Sequence, residues 1–181
     1  NSVTEYRFLK SKLKIPFFKI PSGEIHSTDM IDYIAKKNKK IFISTGMATF
    51  NEIREVLKKL KKHGNKKITI LHCISSYPAD NNSINLNIID ELKKTLQVDI
   101  GYSDHSIGNE ACLAAVAKGA KVIEKHVTLS TKQNGPDHKA SSNIKDFSDL
   151  VRKIRKLETI LGSSTKRFSK EEINIRNVAR K

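Results

Sequence analysis

The sequence predicts an α/β protein built on a parallel sheet, with five strand–helix units that fit part of a (β/α)₈ barrel or an open doubly wound sheet. Three observations carry this. Five short apolar runs alternate with amphipathic helical patterns, the rhythm of parallel strands joined by right-handed crossovers. No Gly-rich dinucleotide or P-loop fingerprint follows any run, which weakens the nucleotide-binding open sheet. Every run ends in a polar cluster, and barrel active sites lie at strand C-termini.

Val3, Tyr6, Leu9 and Leu13 stand at helical spacing, and Pro16 stops that helix. Phe17–Ile20 is a short strand with Pro21-Ser22-Gly23-Glu24 as the loop after it. Ser27-Thr28-Asp29 can cap a helix to about Lys37. Ile41–Ile43 is the second strand and runs into Ser44-Thr45-Gly46-Met47. Thr49 and Glu52 form a capping box before a helix with Ile53, Val56, Leu57 and Leu60 on one face. Gly64-Asn65 ends it.

Ile68–Cys73 is the third strand, followed by Ser75-Ser76-Tyr77-Pro78 and a polar loop holding three asparagines. A helix then carries Leu86, Ile89, Leu92 and Leu96. Val98–Gly101 is the fourth strand. Gly108–Lys118 is an Ala-rich helix closed by Gly119, and Lys121–His126 is the fifth strand. The loop Ser130–Ser142 leads to a helix from about Ile144 to Leu161, ended by Gly162. Residues 163–181 read as a polar, basic linker with a short helical piece.

The 181 residues make one domain or part of one, and hydrophobic residues at 38% suffice for a core but are few for a free-standing domain. The opening Asn1-Ser2-Val3-Thr4-Glu5 starts inside a helical pattern without an initiator Met, which reads as part of a longer chain. A net charge of +15 invites a nucleic-acid reading. The lysines, however, are spread over helix surfaces, aromatics are few, and no helix-turn-helix, zinc-finger or RNA-recognition pattern accompanies them. A basic field serves an anionic small substrate equally well. Cys73 and Cys112 sit inside apolar runs, which fits a reducing, cytoplasmic setting rather than a disulfide framework. No run approaches the ~20 apolar residues of a membrane span.

Lys19 follows two phenylalanines, and a lysine on a buried strand needs an anionic partner. With Ser22, Ser44, Ser75 and Ser103 from other strand ends it could cradle a phosphate or carboxylate, although each serine alone is an ordinary turn or cap residue. His105 and His126 end neighbouring strands and could share a divalent metal. Glu24, Asp104, Glu124 and Asp137 are carboxylates near them, and Mn²⁺, Mg²⁺, Fe²⁺ and Zn²⁺ all stay open on ligand type. His72, inside a strand beside Cys73, reads as a satisfied core histidine. The Asp137-His138-Lys139 loop is a solvated loop or a substrate contact. Residue chemistry alone thus reaches a barrel-type enzyme for a small anionic substrate.

Six ordered motifs go further: Phe18-Lys19-Ile20-Pro21-Ser22-Gly23-Glu24-Ile25, Ser44-Thr45-Gly46-Met47-Ala48-Thr49, Leu71-His72-Cys73-Ile74-Ser75-Ser76-Tyr77-Pro78, Gly101-Tyr102-Ser103-Asp104-His105, Val122-Ile123-Glu124-Lys125-His126 and Gly135-Pro136-Asp137-His138-Lys139-Ala140-Ser141. In order and spacing they resemble the sialic acid synthase family, with its legionaminate and spore-coat relatives. The resemblance implies the C-terminal portion of a (β/α)₈ TIM barrel, about strands 4–8, over residues 1–162. It implies that 163–181 lead toward a C-terminal antifreeze-like (SAF) domain that the sequence lacks. The activity implied is condensation of phosphoenolpyruvate with N-acetylmannosamine or a related N-acetylated hexose, with release of phosphate.

The family likeness also assigns roles. His105 and His126 match the ligands of a divalent metal, Mn²⁺ or Mg²⁺, that polarises the sugar aldehyde. Lys19, Ser22, Ser44, Ser75 and Ser103 match positions near the phosphoenolpyruvate carboxylate and phosphate, Ser75 standing where some relatives have Asn. Glu24, Tyr77 and Asp137 match positions at the sugar or reacting centre, with Lys19, Glu24 and His126 the implied catalytic group. The likeness implies a homodimer at full length and no nucleic-acid or membrane partner. Three further strands, carrying a glutamate, a lysine and a glutamine of the site, are missing from the sequence. The 181 residues alone are therefore expected to be inactive, and a non-catalytic anion-binding remnant is the alternative of a different class.

Overall fold

The computed structural model describes Thr4 and residues 15–180; apart from Thr4, the helix expected over Val3–Leu13 lies outside the described residues. Five strands, β1 (Phe17–Ile20), β2 (Lys40–Ser44), β3 (Ile68–Cys73), β4 (Asp99–Asp104) and β5 (Ile123–Lys125), pair in chain order. All four pairings are parallel. The helices are α1 (Thr28–Ala35), α2 (Phe50–Lys62), α3 (Asn81–Ile84), α4 (Ile88–Leu96), α5 (Glu110–Ala117), α6 (Ile144–Leu161) and α7 (Lys170–Ala179).

Successive strand residues face opposite sides of a sheet. Phe18, Ile20, Ile41, Ile43, Ile70 and Ile100 face outward and are almost wholly buried against Ile34, Leu57, Leu60, Ile89 and Leu92 of the helices. Each such side chain contributes about 1.5–3 kcal/mol through burial, so this layer fixes the register of the sheet. The other parity (Lys19, Phe42, Leu71, Cys73, Gly101, Ser103, Glu124) lines the inner face.

That inner face is concave. In a flat sheet the outer strands β1 and β5 would stand about 19 Å apart, four inter-strand gaps, farther than a lysine and a glutamate can reach together. Yet Lys19 Nζ on β1 lies 3.0 Å from Glu124 Oε1 on β5. The sheet therefore curls as half of a barrel. Gly101 assists at the β4–β5 seam: a Cβ there would stand 2.6 Å from both Leu71 Cδ2 and the Val122 carbonyl oxygen.

Local signals act as their chemistry dictates, with some departures. Thr49 and Glu52 close both halves of the capping box on α2. Ser27 precedes α1 but its hydroxyl donates to Glu24 Oε2 at 2.6 Å instead of accepting from the helix. The asparagine-rich stretch contains one helical turn, α3, which Asp80 caps by accepting from Asn82 N at 2.8 Å. Strand β4 runs three residues beyond its expected end, to Asp104. The tail forms α7, ten residues with a second capping box at Ser169 and Glu172 and no buried residue. Among the described residues no helix is long and apolar enough to cross a membrane.

Candidate active site

The inward residues at the C-terminal ends of the strands meet in one cleft of about 400 Å³. Of the residues singled out from the sequence, Lys19, Ser22, Ser44, Ser75, Tyr77, Ser103, His105 and His126 line it, with Cys73 and Glu124 between them. Two larger hollows, of about 620 and 600 Å³, gather lysines and helix-surface side chains at other places, without a pair of imidazoles. Chemistry, rather than size, singles out the cleft.

One wall is donor-rich. Lys19 pairs with Glu124, whose Oε1 also accepts from Ser103 Oγ at 2.7 Å. The anionic partner that a lysine on this strand requires is thus supplied across the barrel. Gly46 N donates to Ser22 Oγ at 3.0 Å. The Ser44 hydroxyl is buried and has no hydrogen-bond partner among the described residues. A buried hydroxyl without a partner costs free energy, which a ligand oxygen or a water reaching it would recover.

The opposite wall is aromatic. The His105 and His126 rings stand edge to face with centroids 5.3 Å apart, and Tyr77 stacks on His105 at 4.1 Å. His105 Nδ1 lies 2.7 Å from the Ile74 carbonyl oxygen. A carbonyl only accepts, so Nδ1 carries a proton, and the neutral tautomer this selects has its lone pair on Nε2. This is the arrangement in which an imidazole ligates a metal while its other nitrogen is oriented by the protein. The chemistry of the pair fits a divalent ion. Among the described residues no group of three or more His, Cys, Asp or Glu side chains forms a metal site. Burial first, and the neighbouring Cys73, Asp137 and Glu124 second, raise the Tyr77 phenol above its ordinary range.

Three expected carboxylates do not line the cleft. Glu24 lies in a short 3₁₀ turn, Ser22–Glu24, outside the cleft lining, with its carboxylate on Ser27 Oγ. Asp137 is exposed and stands 3.9 Å from His126 Nδ1 at the cleft margin. Asp104 does not accompany the histidines: alternation turns it to the helix side of the sheet. There Oδ2 accepts from Lys125 Nζ at 2.6 Å and from Cys112 Sγ at 3.0 Å. Oδ1 accepts from Tyr102 Oη, Ser106 N and Ser106 Oγ at 3.0, 2.8 and 2.7 Å. Burial works to raise the Asp104 carboxyl, but the bonds from Lys125, Ser106 and Cys112 outweigh it and hold it below the usual carboxylate range.

His72 is the satisfied core histidine that its place inside the strand predicts, and its neighbour Cys73 is the one that faces the cleft. His72 faces the helices, with Nε2 2.7 Å from the Ile84 carbonyl oxygen; burial keeps it below the ordinary histidine range. Cys73 faces the cleft, 3.9 Å from Ser22 Oγ and 3.8 Å from His105 Nδ1. Burial raises its thiol, so it stays protonated. Sequence reasoning had not set Cys73 among the cleft residues; its parity with Leu71 was the available signal.

The sequence profile of the NeuB family matches residues 2–166. The chain is 47% identical over 175 residues to N,N'-diacetyllegionaminic acid synthase of Campylobacter jejuni, covering 96% of this chain and 52% of that protein. It is 38% identical over 158 residues to human N-acetylneuraminate-9-phosphate synthase, covering 87% of this chain and 44% of that one. The crystal structure of N-acetylneuraminic acid (sialic acid) synthetase from Leptospira borgpetersenii, in complex with citrate, superposes with a TM-score of 0.89 at 34% identity. That likeness covers 99% of this chain and 64% of that one. The chain spans about half the length of the curated relatives it matches.

Proposed function

The chain belongs to the NeuB family, and on that premise we propose that the whole protein condenses phosphoenolpyruvate with an N-acetylated hexose to give a sialic-type sugar acid and phosphate. Its homologues are sialic and legionaminic acid synthases. The observation that carries the reading is the two-walled cleft, a cation with hydroxyl donors facing two imidazoles. Lys19 and the Ser22, Ser44, Ser75 and Ser103 hydroxyls bind the carboxylate and phosphate of phosphoenolpyruvate; such donors act most strongly where water is excluded. His105 and His126 hold a divalent ion, Mn²⁺ or Mg²⁺. When bound, that ion supplies Lewis-acid polarisation of the sugar aldehyde.

Tyr77 packs beside the imidazoles where the sugar would lie, and Asp137 approaches from the margin. Glu24 acts at the reacting centre once its bond to Ser27 is exchanged. C3 of phosphoenolpyruvate forms the new bond to the aldehyde carbon, water adds at C2, and phosphate leaves by C–O cleavage. N-acetylmannosamine is the first acceptor to assay. An acceptor with two acetamido groups is the second reading, favoured by the 47% identity to a diacetyl sugar-acid synthase against 38% to the human enzyme.

The protein is proposed to be cytoplasmic and homodimeric, with residues 163–181 leading into an antifreeze-like domain. The deciding assay follows phosphate release by the whole protein with phosphoenolpyruvate and a panel of mono- and diacetamido hexoses. No release with any of them overturns the reading. The 181 residues alone are expected to be inactive because the other half of the barrel is needed. Sugar-acid formation by the isolated chain at the whole protein's rate would contradict that.

Gly46 offers a test of the donor wall. A Cβ there would stand 2.1 Å from Ser75 Oγ and 2.9 Å from Ser22 Oγ, so both hydroxyls must move. Gly46→Ala in the whole protein is expected to raise KM for phosphoenolpyruvate about 10-fold, the loss of one hydrogen bond to a charged group. KM for the sugar should change far less. An unchanged KM for phosphoenolpyruvate would remove Ser22 and Ser75 from the anion site.

A further inference from the structure

The two histidines follow, one residue later in each chain segment, the last rung of the β4–β5 ladder, Asp104↔Lys125. That rung is an ion pair with side chains 0% and 1% exposed, on the face of the sheet away from the cleft. Lys125 Nζ donates to Asp104 Oδ2 at 2.6 Å and to the Ser106 carbonyl oxygen at 2.8 Å. Its ammonium therefore bridges the Asp104 carboxylate and the Ser106 backbone carbonyl, one on each side of His105. Asp104 closes the same loop by accepting from Ser106 N and Ser106 Oγ. A charge buried on both partners with most of its bonding capacity filled holds its geometry firmly, because any excursion exposes an unpaired charge to an apolar surrounding.

We propose that Asp104, Lys125 and Ser106 form a clamp beneath the sheet that sets the spacing and orientation of His105 and His126 for a shared divalent ion. These are positioning residues: none lines the cleft. The proposal rests on the reading of the histidine pair as metal ligands. It differs from a purely structural role in where its effect falls. Groups that orient a ligand from behind change metal affinity by about 10- to 100-fold when altered, whereas a merely structural pair changes stability alone.

The test is Mn²⁺ binding to the whole protein, without substrates, read by the electron-paramagnetic-resonance signal of the free ion and set beside a thermal melt of each variant. The double variant Asp104→Leu/Lys125→Met replaces the pair by apolar side chains. It is expected to melt cooperatively and to bind Mn²⁺ about 10- to 100-fold more weakly than wild type. Ser106→Ala removes one arm with less risk to folding and should weaken binding several-fold. Cys112→Ala, which touches Asp104 Oδ2 but not the span across His105, should lower the melting temperature and leave Mn²⁺ affinity unchanged. Wild-type affinity in Ser106→Ala, or in a folded double variant, overturns the clamp. A loss of affinity that tracks melting temperature across all variants, Cys112→Ala included, also overturns it. Absence of Mn²⁺ binding by the wild type overturns the metal reading itself, a result distinct from either.

Discussion

Replacing His105 with Ala in the whole protein is expected to lower phosphate release on the order of 10³-fold, since Lewis-acid polarisation contributes several kcal/mol to such a step. The imidazole is positioned for one task. Its Nδ1 proton is committed to the Ile74 carbonyl, its ring is held under Tyr77, and Nε2 alone remains for a ligand. His126→Ala should show a loss of similar size. EDTA provides the internal check. Chelation should reduce the wild type as strongly as the substitution does, and should change His105→Ala no further, because both remove the same interaction and their effects cannot add. A variant that keeps half its activity, or a wild type indifferent to chelation, would show that the two histidines do something other than hold a metal.

How far the sequence could be read depended on what satisfied each residue. Strands held by apolar burial were legible: Phe17–Ile20 and Ile68–Cys73 stand where their hydrophobic runs place them. The end of β4 was not. Ser103 and Asp104 extend it because Glu124 and Lys125 on the next strand complete their hydrogen bonds, and a hydrophobic pattern cannot register a strand held by polar partners. The same blindness set Asp104 beside His105. A polar cluster read as loop has no parity, whereas as strand it alternates, and alternation sends Asp104 to the helices and Ser103 to the cleft.

Parity likewise separates His72 from Cys73, and the residue order alone carries it. The single turn α3 was hidden by asparagines that read as loop and are held by the Asp80 cap. The Lys19–Glu124 pair joins residues 105 positions apart on strands that are not neighbours. It exists only because the sheet curls, so no local pattern could announce it.

Removing one half of the buried pair should produce the largest change in stability. Lys125→Met leaves the Asp104 carboxylate buried without its cation, and breaking such a pair costs about 3–5 kcal/mol. That corresponds to a fall in melting temperature on the order of 10 °C. The sign of its pH dependence follows from the wild-type carboxyl, which Lys125, Ser106 and Cys112 hold below its ordinary range against the opposing effect of burial. In the wild type the folded state gives up the proton more readily than the unfolded chain. The pair's contribution is therefore present above the unfolded carboxyl value, near 4, and is lost as pH falls through the lower folded value.

In Lys125→Met the dominant remaining influence is burial, which favours the protonated acid. The folded state of the variant then holds its proton more tightly than the unfolded chain, so its deficit should be greatest at neutral pH and shrink as pH falls toward 4. Asp104→Leu/Lys125→Met should recover much of the lost stability at neutral pH, since an apolar pair of similar volume replaces a buried ion pair at little net cost. A deficit in the single variant that is independent of pH would place the cost in packing, and would mean that Asp104 does not carry a charge in the folded protein.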